Sequence, residues 1–516
     1  MKYFNVLTAL LIFLVHIQAQ NAIPKIIKKS IHFTSTDRSL SIDFDLQDPD
    51  NDKLEVRCKI FSLSENDKYT ELLAQSITGD VGYPVSPGLN KKINLINIEY
   101  ASPKLVVVLS AYDKESINIE DIISNVNPNN LKDYVEQIQG RRNANNPIIY
   151  NQARTYLSEQ LQTYLNTKSL DFKNALYTGI NYEATKHGSS EPSSIIIVDA
   201  HYDAATISPG ADDNGSGVAG VLEMARILAD YPSKKSIRYV LFDLEENGLV
   251  GSSIYNANQL SKRDSIKAVL NFEMIGYYTE QANTQDLPTG FNVLFPDAYN
   301  QVIANNRKGD FIINVGNTNS LNLKNSFHTN TLNHVPALKI ISLEVPGNGS
   351  IAPDLRRSDH ASFWDRNIPA LMITDGANFR NKNYHTIRDS SHYLNFDFMA
   401  NVVKASIATI IELAEIEHGS SIDIIVDQTT GTNTKEENKF QAICEEGCIL
   451  IKPDQNLENC LLQIFDIKGR KIYSMNQNLR NDNFTKLNHI KLSTGLYFLS
   501  LSNKKFKATK KIIIHE

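Results

Sequence analysis

Cysteine is scarce in this sequence. The 516 residues contain four cysteines, at positions 58, 444, 448 and 460. A zinc ribbon built on cysteines is not expected, because the Cys444-x3-Cys448 spacing has no matching second pair. An exported chain could form one disulfide among the four, but the sequence does not determine which pair would form it.

An excess of positive charge is also missing. The formal net charge is -6, and a nucleic-acid-binding protein usually carries a basic face or a basic domain. The composition therefore gives no reason to expect a nucleic-acid partner. Hydrophobic and charged residues make up 41% and 21% of the chain, as in ordinary globular proteins, and the length predicts about two to four domains.

Long hydrophobic runs are missing beyond the first residues. Met1-Lys2 is a short positive start, Phe4 to Ile17 is an apolar run, and Ala19 supplies a small residue at a cleavage site. This pattern predicts a signal peptide over residues 1–19, because the run is shorter than a bilayer span. The alternative is a retained N-terminal anchor. With the signal removed, the mature chain is expected to lack a membrane span.

Residues 24–118 show the pattern of an all-β module. Ser39 to Leu46 and Leu54 to Phe61 alternate polar and apolar residues, and Leu105 to Tyr112 is a continuous apolar run. Short strands separated by turn signals predict a β-sandwich. The segment resembles the immunoglobulin-like modules that are attached to many secreted bacterial proteins.

Residues 120–418 change to alternating strands and helices. Buried-strand patterns at Ile195 to Ala200 and Arg238 to Leu244 flank a helical pattern at Gly217 to Tyr231, and a long helix is predicted from Phe396 to Glu417. Such alternation predicts an α/β fold, a three-layer sandwich around a mainly parallel central sheet. Residues 419–439 are predicted to be a polar linker, and residues 440–516 a second all-β module.

Imidazole and carboxylate groups follow the predicted strands of the middle region. His201 ends one strand, the pair Glu245 and Glu246 follows the next, and Glu273 follows a third. Because ligands bind beyond the carboxyl ends of strands in such sheets, these side chains can meet at one edge. A mixture of histidine nitrogen and carboxylate oxygen suits zinc.

The middle region resembles the zinc-dependent aminopeptidases of peptidase family M28, which also includes carboxypeptidases and glutaminyl cyclase-like enzymes. The motifs that carry the resemblance are HYD (201–203), PGADDNGSG (209–217), EENGLVGS (245–252), NFEMIGY (271–277), SDHASF (358–363) and YHT (384–386). Each motif alone is a weak signal, whereas the ordered set is specific.

The resemblance implies a site with two zinc ions. His201 and Glu273 would bind one ion, Glu246 and His385 the other, and Asp213 would bridge both. A bridging carboxylate is needed because two divalent cations about 3.5–4 Å apart repel each other.

Three acidic residues beside these ligands are assigned other roles. Glu245 would act as the general base towards metal-activated water, and Asp203 would accept the second ring N–H of His201. Asp359 is expected to orient a ligand or the substrate. The sequence departs from the family at Glu273, where aspartate is frequent, and this change leaves the oxygen ligands in place.

The implied activity is removal of N-terminal residues from peptides with a free N-terminus. A carboxypeptidase or another amidase of the same fold remains an alternative, and a metal-free binding protein is a more remote one. Glutaminyl cyclase activity is disfavoured because those enzymes bind one zinc ion.

The C-terminal module resembles the type A sorting domain of the type IX secretion system of Bacteroidetes. The matching segments are IFDIKGRKIY (464–473), LSTGLYFLSL (492–501) and KKIII (510–514). The resemblance implies that the secretion machinery is a partner and that the protein is secreted or held at the cell surface. An ordinary adhesive β-module is the alternative. The usual Asn-Pro opening is replaced by Lys452-Pro453.

Overall fold

The computed structural model describes residues 22–34, 38–63, 69–99, 104–113, 115–427, 440–445, 448–453, 455–466, 471–487, 495–503 and 507–514. Two compact units are distinguished, one with residues 1–29 and 35–429, the other with residues 30–34 and 430–516. The predicted signal peptide and residues 428–439 lie outside the described residues.

In the described part of the N-terminal region, eight strands form two sheets. They are β1 Lys25–Thr34, β2 Ser39–Gln47, β3 Leu54–Leu63, β4 Tyr69–Glu71, β5 Ala74–Gly79, β6 Gly82–Val85, β7 Gly88–Ile98 and β8 Lys104–Tyr112. One sheet has the order β1-β2-β7-β5, and β3, β4, β6 and β8 belong to the other. Alternate residues of β2, namely Leu40, Ile42 and Phe44, are completely buried, as expected for a strand with one covered face.

The middle region contains ten α-helices and eight strands among the described residues. They are α1 Ile119–Ser124, α2 Pro128–Ile138, α3 Pro147–Tyr164, β9 Thr167–Lys173, β10 Thr178–Lys186, β11 Glu191–His201, α4 Gly217–Leu228, β12 Lys235–Phe242, α5 Val250–Ile254, β13 Ser265–Phe272, α6 Phe291–Leu294, α7 Pro296–Ala304, β14 Phe311–Asn317, α8 Leu321–His334, β15 Lys339–Val345, α9 His360–Trp364, β16 Ala370–Thr374 and α10 Phe396–Ala414.

The eight strands form one mixed sheet in the order β15-β14-β16-β13-β11-β12-β10-β9. Its centre, β12-β11-β13-β16, is parallel, and β14 and β15 are parallel to each other. The junction of β14 with β16 and the two pairs at the β9 edge are antiparallel. The predicted α/β fold with a mainly parallel centre is confirmed.

Helices cover both faces of this sheet. Along β11, Ile196 and Val198 belong to the apolar cluster that contains the buried faces of α2, α4 and α10. Their neighbours Ile195 and Ile197 belong to a second cluster, together with Trp364 of α9. Successive strand residues point to opposite faces, so an apolar run is buried on both sides and three layers result.

The structure corrects the predicted linker at residues 419–439. Gly419–Asp427 is a strand, β17, which pairs antiparallel with β8 from Gly419 opposite Tyr112 to Asp427 opposite Lys104. It occupies the edge of the N-terminal sheet in the order β17-β8-β3-β4. The sequence of residues 419–427 does not reveal this pairing, because the partner strand β8 lies far away in the chain. The register of the pair is set by contacts with that strand and not by local pattern.

A buried ion pair fixes β17 to the central sheet. Lys186 of β10 is fully buried, and its Nζ lies 3.4 Å from Asp423 Oδ1 and donates to the carbonyl oxygen of Ser421 at 3.0 Å. His187 Nδ1 lies 2.7 Å from Asp423 Oδ2. Removing one partner of a buried pair leaves an uncompensated charge and costs about 3–5 kcal/mol. The N-terminal strands and the middle region therefore form a single structural unit.

The second unit is all-β. Its strands are β18 Phe440–Glu445, β19 Cys448–Pro453, β20 Leu457–Asp466, β21 Lys471–Leu479, β22 Thr485–Leu487, β23 Gly495–Ser502 and β24 Lys507–Ile514. They form the antiparallel sheets β18-β19-β22 and β21-β20-β23-β24. Residues 467–470 and 488–494, which include parts of the matching segments 464–473 and 492–501, lie outside the described residues.

Two cysteines have described side chains. Cys58 and Cys460 are buried free thiols, and burial raises the pKa of each, to about 12 for Cys58. In the part of the chain that the structure describes, no helix has both the length and the apolar character needed to cross a membrane.

Candidate metal centre

Five residues named from the sequence as metal ligands converge at the carboxyl ends of the central strands. His201 is the last residue of β11, and Glu273 directly follows β13. Glu246 lies in the loop after β12, and His385 lies in the loop between β16 and α10. Asp213 lies in a helical turn, Ala211–Ser216, that precedes α4. The parallel arrangement of the strands is what brings distant segments to one edge.

The inner half of this site consists of His201 and Glu273 with Asp213. His201 Nε2 lies 3.4 Å from Asp213 Oδ1 and 3.5 Å from Glu273 Oε2. Metal–ligand bonds of about 2.1 Å in tetrahedral geometry place neighbouring donor atoms roughly 3.4 Å apart. The observed spacing therefore fits donor atoms arranged around one ion.

The outer half consists of Glu246 and His385, again with Asp213. His385 Nε2 lies 3.0 Å from Asp213 Oδ2 and 3.1 Å from Glu246 Oε2. Asp213 thus turns one carboxylate oxygen towards each histidine. This is the position that a bridging ligand requires.

Several of these donor atoms are buried and make no hydrogen bond among the described residues. They include Asp213 Oδ2, Glu246 Oε1 and His385 Nε2. His385 Nε2 is close to two carboxylates, but the contacts do not have hydrogen-bond geometry. Buried polar atoms normally have a partner. Imidazole nitrogen and carboxylate oxygen directed at a common centre fit a divalent metal ion such as zinc.

Asp203 supports the site in a way that the sequence did not predict. Its Oδ1 lies 3.4 Å from His201 Nδ1, which makes no hydrogen bond in this structure. Its two oxygens instead accept the backbone N–H groups of Glu245 at 3.0 Å and Glu246 at 3.1 Å. Asp203 therefore fixes the loop after β12 beside His201.

Glu245 lies beside the inner half, close to His201 and Glu273. Its Oε2 is 4.0 Å from His201 Nε2. Burial raises the pKa of Glu245 well above its usual value, and the charges of Glu273 and Asp359 raise it further. Glu245 and its partners thus form a carboxylate-rich, desolvated environment that favours a bound cation or proton.

The two histidines lower the pKa of the shared carboxylate. Burial alone would raise the pKa of Asp213, but His201 and His385 hold it below its usual value. Burial raises the pKa of Glu246 to about 7, with the charge of Asp213 as a further cause. Asp359 is fully buried, and burial raises its pKa to about 7.

Side chains around Asp213 determine its orientation. The backbone leaves helical geometry at Asp213, with φ −102° and ψ 91°. The Asn214 side chain donates to the carbonyl oxygen of Phe272 at 2.7 Å and accepts the N–H of Met274 at 3.1 Å. These bonds tie the Asp213 turn to the segment that carries Glu273. A sequence pattern of Asp-Asp-Asn-Gly indicates a turn but not these partners.

Three residues that contact the site had no assigned role in the sequence interpretation. Ser358 Oγ donates to Glu273 Oε2 at 2.6 Å. The Asp389 carboxylate accepts the backbone N–H groups of Asp212 and Asp213. The Arg142 guanidinium donates to the carbonyl oxygen of Tyr202, in the loop that follows His201. Ser358 lies in one of the recognised motifs, whereas Asp389 and Arg142 act through contacts between distant segments.

An apolar pocket opens beside Glu273. Its lining includes Phe291, Phe311, Ile341, Leu343 and Met372. All of the lining residues fall between Glu273 and Tyr384 in the chain. The lining also includes Arg357, whose Nη2 donates to Tyr384 Oη at 2.9 Å, and three acidic residues, Glu273, Asp286 and Asp354.

Comparison with known families identifies two domains. Residues 181–410 match peptidase family M28, and residues 446–515 match the secretion system C-terminal sorting domain. The chain therefore contains a peptidase domain of family M28 and a C-terminal sorting domain. Both resemblances seen in the sequence are confirmed, whereas the immunoglobulin-like character of residues 24–118 stays a prediction.

Individual relatives share parts of the chain. The uncharacterized protein YfbL of Escherichia coli is 36% identical over 223 residues, which are 40% of this chain and 64% of YfbL. Aminopeptidase YwaD of Bacillus subtilis is 47% identical over 91 residues, which are 17% of this chain and 20% of YwaD. The chain thus spans less than two thirds of either relative.

Among solved structures, the LapA aminopeptidase of Legionella pneumophila is similar to this chain. The two are 22% identical with a TM-score of 0.44, and the match covers 58% of this chain and 78% of LapA.

Proposed function

We propose that this chain is a zinc-dependent aminopeptidase that binds two ions at the inner and outer halves of the site. The observation that carries the proposal is that one buried carboxylate, Asp213, contacts both histidines with separate oxygens. The presence of a peptidase domain of family M28 and the similarity to aminopeptidase YwaD support the reaction class.

His201, Asp213 and Glu273 would hold one ion, and Asp213, Glu246 and His385 the other. Bound in this way, the ions would lower the pKa of a water molecule and polarise the carbonyl group of the scissile amide. The remaining chemistry belongs to side chains of the chain itself.

Glu245 is the general base in this proposal. It adjoins the ligand Glu246 in the chain, and its carboxylate lies next to His201, so it can reach water at the site. From this position its carboxylate can take a proton from the attacking water and return that proton to the leaving amine. Asp203 holds the backbone of Glu245 in place for both transfers.

The pocket supports an apolar first residue in the substrate. Phe291, Phe311 and Met372 would cover a large aliphatic or aromatic side chain, and burial of such a side chain contributes about 1.5–3 kcal/mol. The acidic residues at the site favour a free α-amino group over a carboxylate. The pocket's Arg357 lies 3.8 Å from Asp354, whose charge partly offsets the cation that a C-terminal carboxylate would need.

Hydrolysis of a panel of aminoacyl-p-nitroanilides tests the proposal. We expect release from Leu, Phe and Met substrates that stops on addition of a chelator and returns with zinc. Glu245→Gln should lower kcat by about 10²–10⁴-fold, because a positioned general base contributes that much. Glu136→Gln, at an exposed position on α2, is the matched control and should keep full activity.

The same panel separates the alternatives. If the protein binds two ions but releases nothing from substrates with a free amine, the aminopeptidase assignment is wrong, and peptides with blocked N-termini should be tested for carboxypeptidase action. In that case Arg357→Gln should abolish cleavage, since a C-terminal carboxylate needs a cation. In an aminopeptidase the same variant should change KM by only a few-fold.

The sorting domain supports export, with the secretion machinery as a partner and the outside of the cell or its surface as the destination. Removing residues 446–515 in the native host should leave active enzyme inside the cell envelope. Appearance of the truncated protein in the medium at wild-type levels would exclude this role.

A further inference from the structure

Asp389 belongs to the loop that carries His385, and its side chain contacts the turn that carries Asp213. It follows His385 by four residues and is 1% exposed. Its Oδ1 accepts the N–H of Asp212 at 2.9 Å, and its Oδ2 accepts the N–H of Asp213 at 3.1 Å. Ser208 Oγ also donates to Oδ2, at 3.4 Å. One carboxylate thus uses both oxygens on the segment that contains Asp213.

The backbone of Asp389 adds a further contact. Its carbonyl oxygen accepts the N–H of Ala211 at 3.3 Å. Together these bonds join the loop after β16 to the turn before α4, two segments more than 170 residues apart in the chain. His385 belongs to the first segment and Asp213 to the second, and the 3.0 Å contact between their side chains spans the same gap.

We propose that Asp389 is a positioning residue that sets the distance between His385 and Asp213 and thereby determines the affinity of the outer half for its ion. This inference rests on the proposed two-ion site. Asp389 does not contact the ion or the substrate in this scheme. It acts by holding the backbone from which Asp213 projects against the loop that presents His385.

The inner half is held by a different buried charge, which makes the effect of Asp389 selective. Arg142 is fully buried, and its guanidinium donates to the carbonyl oxygens of Tyr202 at 2.7 Å, Pro209 at 2.8 Å and Gly210 at 2.7 Å. These bonds fix the loop that leaves His201 to the start of the Asp213 turn. None of these bonds involves Asp389.

Asp389→Asn is the test, because it keeps the size and one acceptor oxygen. The new amide N–H₂ faces a backbone N–H, so one of the two bonds to Asp212 and Asp213 is lost and replaced by repulsion between donors. Metal-free full-length protein is titrated with Zn²⁺ against a competing chelator, and Co²⁺ absorption spectra are recorded at each equivalent.

We expect the wild type to bind two equivalents. Asp389→Asn should keep one tight equivalent and bind the other 10–100-fold more weakly, as is typical for loss of a residue that orients a ligand. The Co²⁺ spectrum should change at the second equivalent and stay unchanged at the first.

Asp310→Asn is the matched control. Asp310 is a buried carboxylate of the same domain that binds Asn305 Nδ2 and Lys339 Nζ, each at 2.6 Å. This variant should lower the melting temperature and keep two equivalents of unchanged affinity. A purely structural role of Asp389 would give the same pattern as this control.

The outcomes separate the inference from the proposed function. Uptake of fewer than two ions by the wild type would overturn the two-ion site itself. Two equivalents of unchanged affinity in Asp389→Asn, or equal weakening of both, would overturn the role of Asp389 and leave the site intact. If Asp389→Asn does not fold, Ser208→Ala removes one contact of the same carboxylate and should weaken only the outer half, by a smaller factor.

Discussion

The two halves of the proposed metal site share Asp213 but are built differently. In the inner half, His201 ends a central strand and its side chain is 1% exposed. In the outer half, His385 lies on a loop, and its side chain is 37% exposed. Glu273 of the inner half accepts a hydrogen bond from Ser358, whereas Glu246 of the outer half has an unpartnered buried oxygen among the described residues.

This difference shows that one half of the site is held by rigid strand ends, whereas the other half lies on a loop that is open to solvent. Strand ends are fixed by the ladder of backbone hydrogen bonds, so the inner half is pre-organised before any ion arrives. The outer half depends on loop contacts such as those of Asp389, and its histidine is partly exposed to solvent. We infer that the inner ion is bound more tightly and that the outer ion exchanges faster.

Loss of the shared ligand should have the largest effect. Asp213→Ala removes an oxygen from both halves and leaves two divalent ions without an intervening anion. We expect both ions to be lost and activity to fall by more than the 10–100-fold that removal of an outer-shell partner causes. Metal analysis after dialysis and a kcat/KM measurement check this. Retention of both ions would contradict the bridging role.

Loss of either histidine should separate the halves. His385→Ala is expected to keep one tightly bound ion, whereas His201→Ala should lose the tighter ion and leave only weak binding. In the wild type, stepwise addition of a chelator should remove the outer ion first. Equal affinity of the remaining ion in the two variants would show that burial does not distinguish the halves.

Ser358→Ala tests the support of the inner half. The variant removes the hydrogen bond to Glu273 Oε2, and we expect about tenfold weaker binding of the inner ion with the outer ion unchanged. Competition between Zn²⁺ and a chelator measures both affinities. The matched control is Ser326→Ala, at a serine of α8 that bonds Glu412, and it should change neither.

Tyr384→Leu should have the smallest effect. The ring of Tyr384 is stacked on His385, with centroids 3.8 Å apart and an interplanar angle of 15°. Aromatic pairs contribute about 0.5–1.5 kcal/mol, so the outer ion should bind roughly 2–10-fold more weakly. If the same titration shows weaker binding of the inner ion only, Tyr384 does not support the outer half.

Much of the site could be predicted because its ligands lie within short local motifs. His201 and the Glu245–Glu246 pair were named from their positions after apolar strands, and the parallel sheet brings them together. Asp389 and Arg142 were missed because neither has a local pattern that distinguishes it from a surface charge. Their roles depend on which backbone groups come within 3 Å of them.

The linker predicted from residue 419 begins too early for a similar reason. Residues 419–427 were assigned to a linker, since the polar stretch that follows them has no apolar period. These residues pair with β8, which is far away in the sequence. One of them, Asp423, forms a buried ion pair with Lys186 of β10. Local patterns do not encode such a pairing because the hydrogen bonds that favour it are formed with a distant strand.

By itself, the sequence determined the α/β class of the middle region, its all-β neighbours and the residue types that can bind metal, because hydrophobic periodicity and short motifs are local properties. Tertiary structure alone decided which oxygen of Asp213 faces each histidine, that His201 is buried while His385 is partly exposed, and that Asp389 joins the His385 loop to the Asp213 turn. These features depend on the distances between segments that meet only when the sheet assembles.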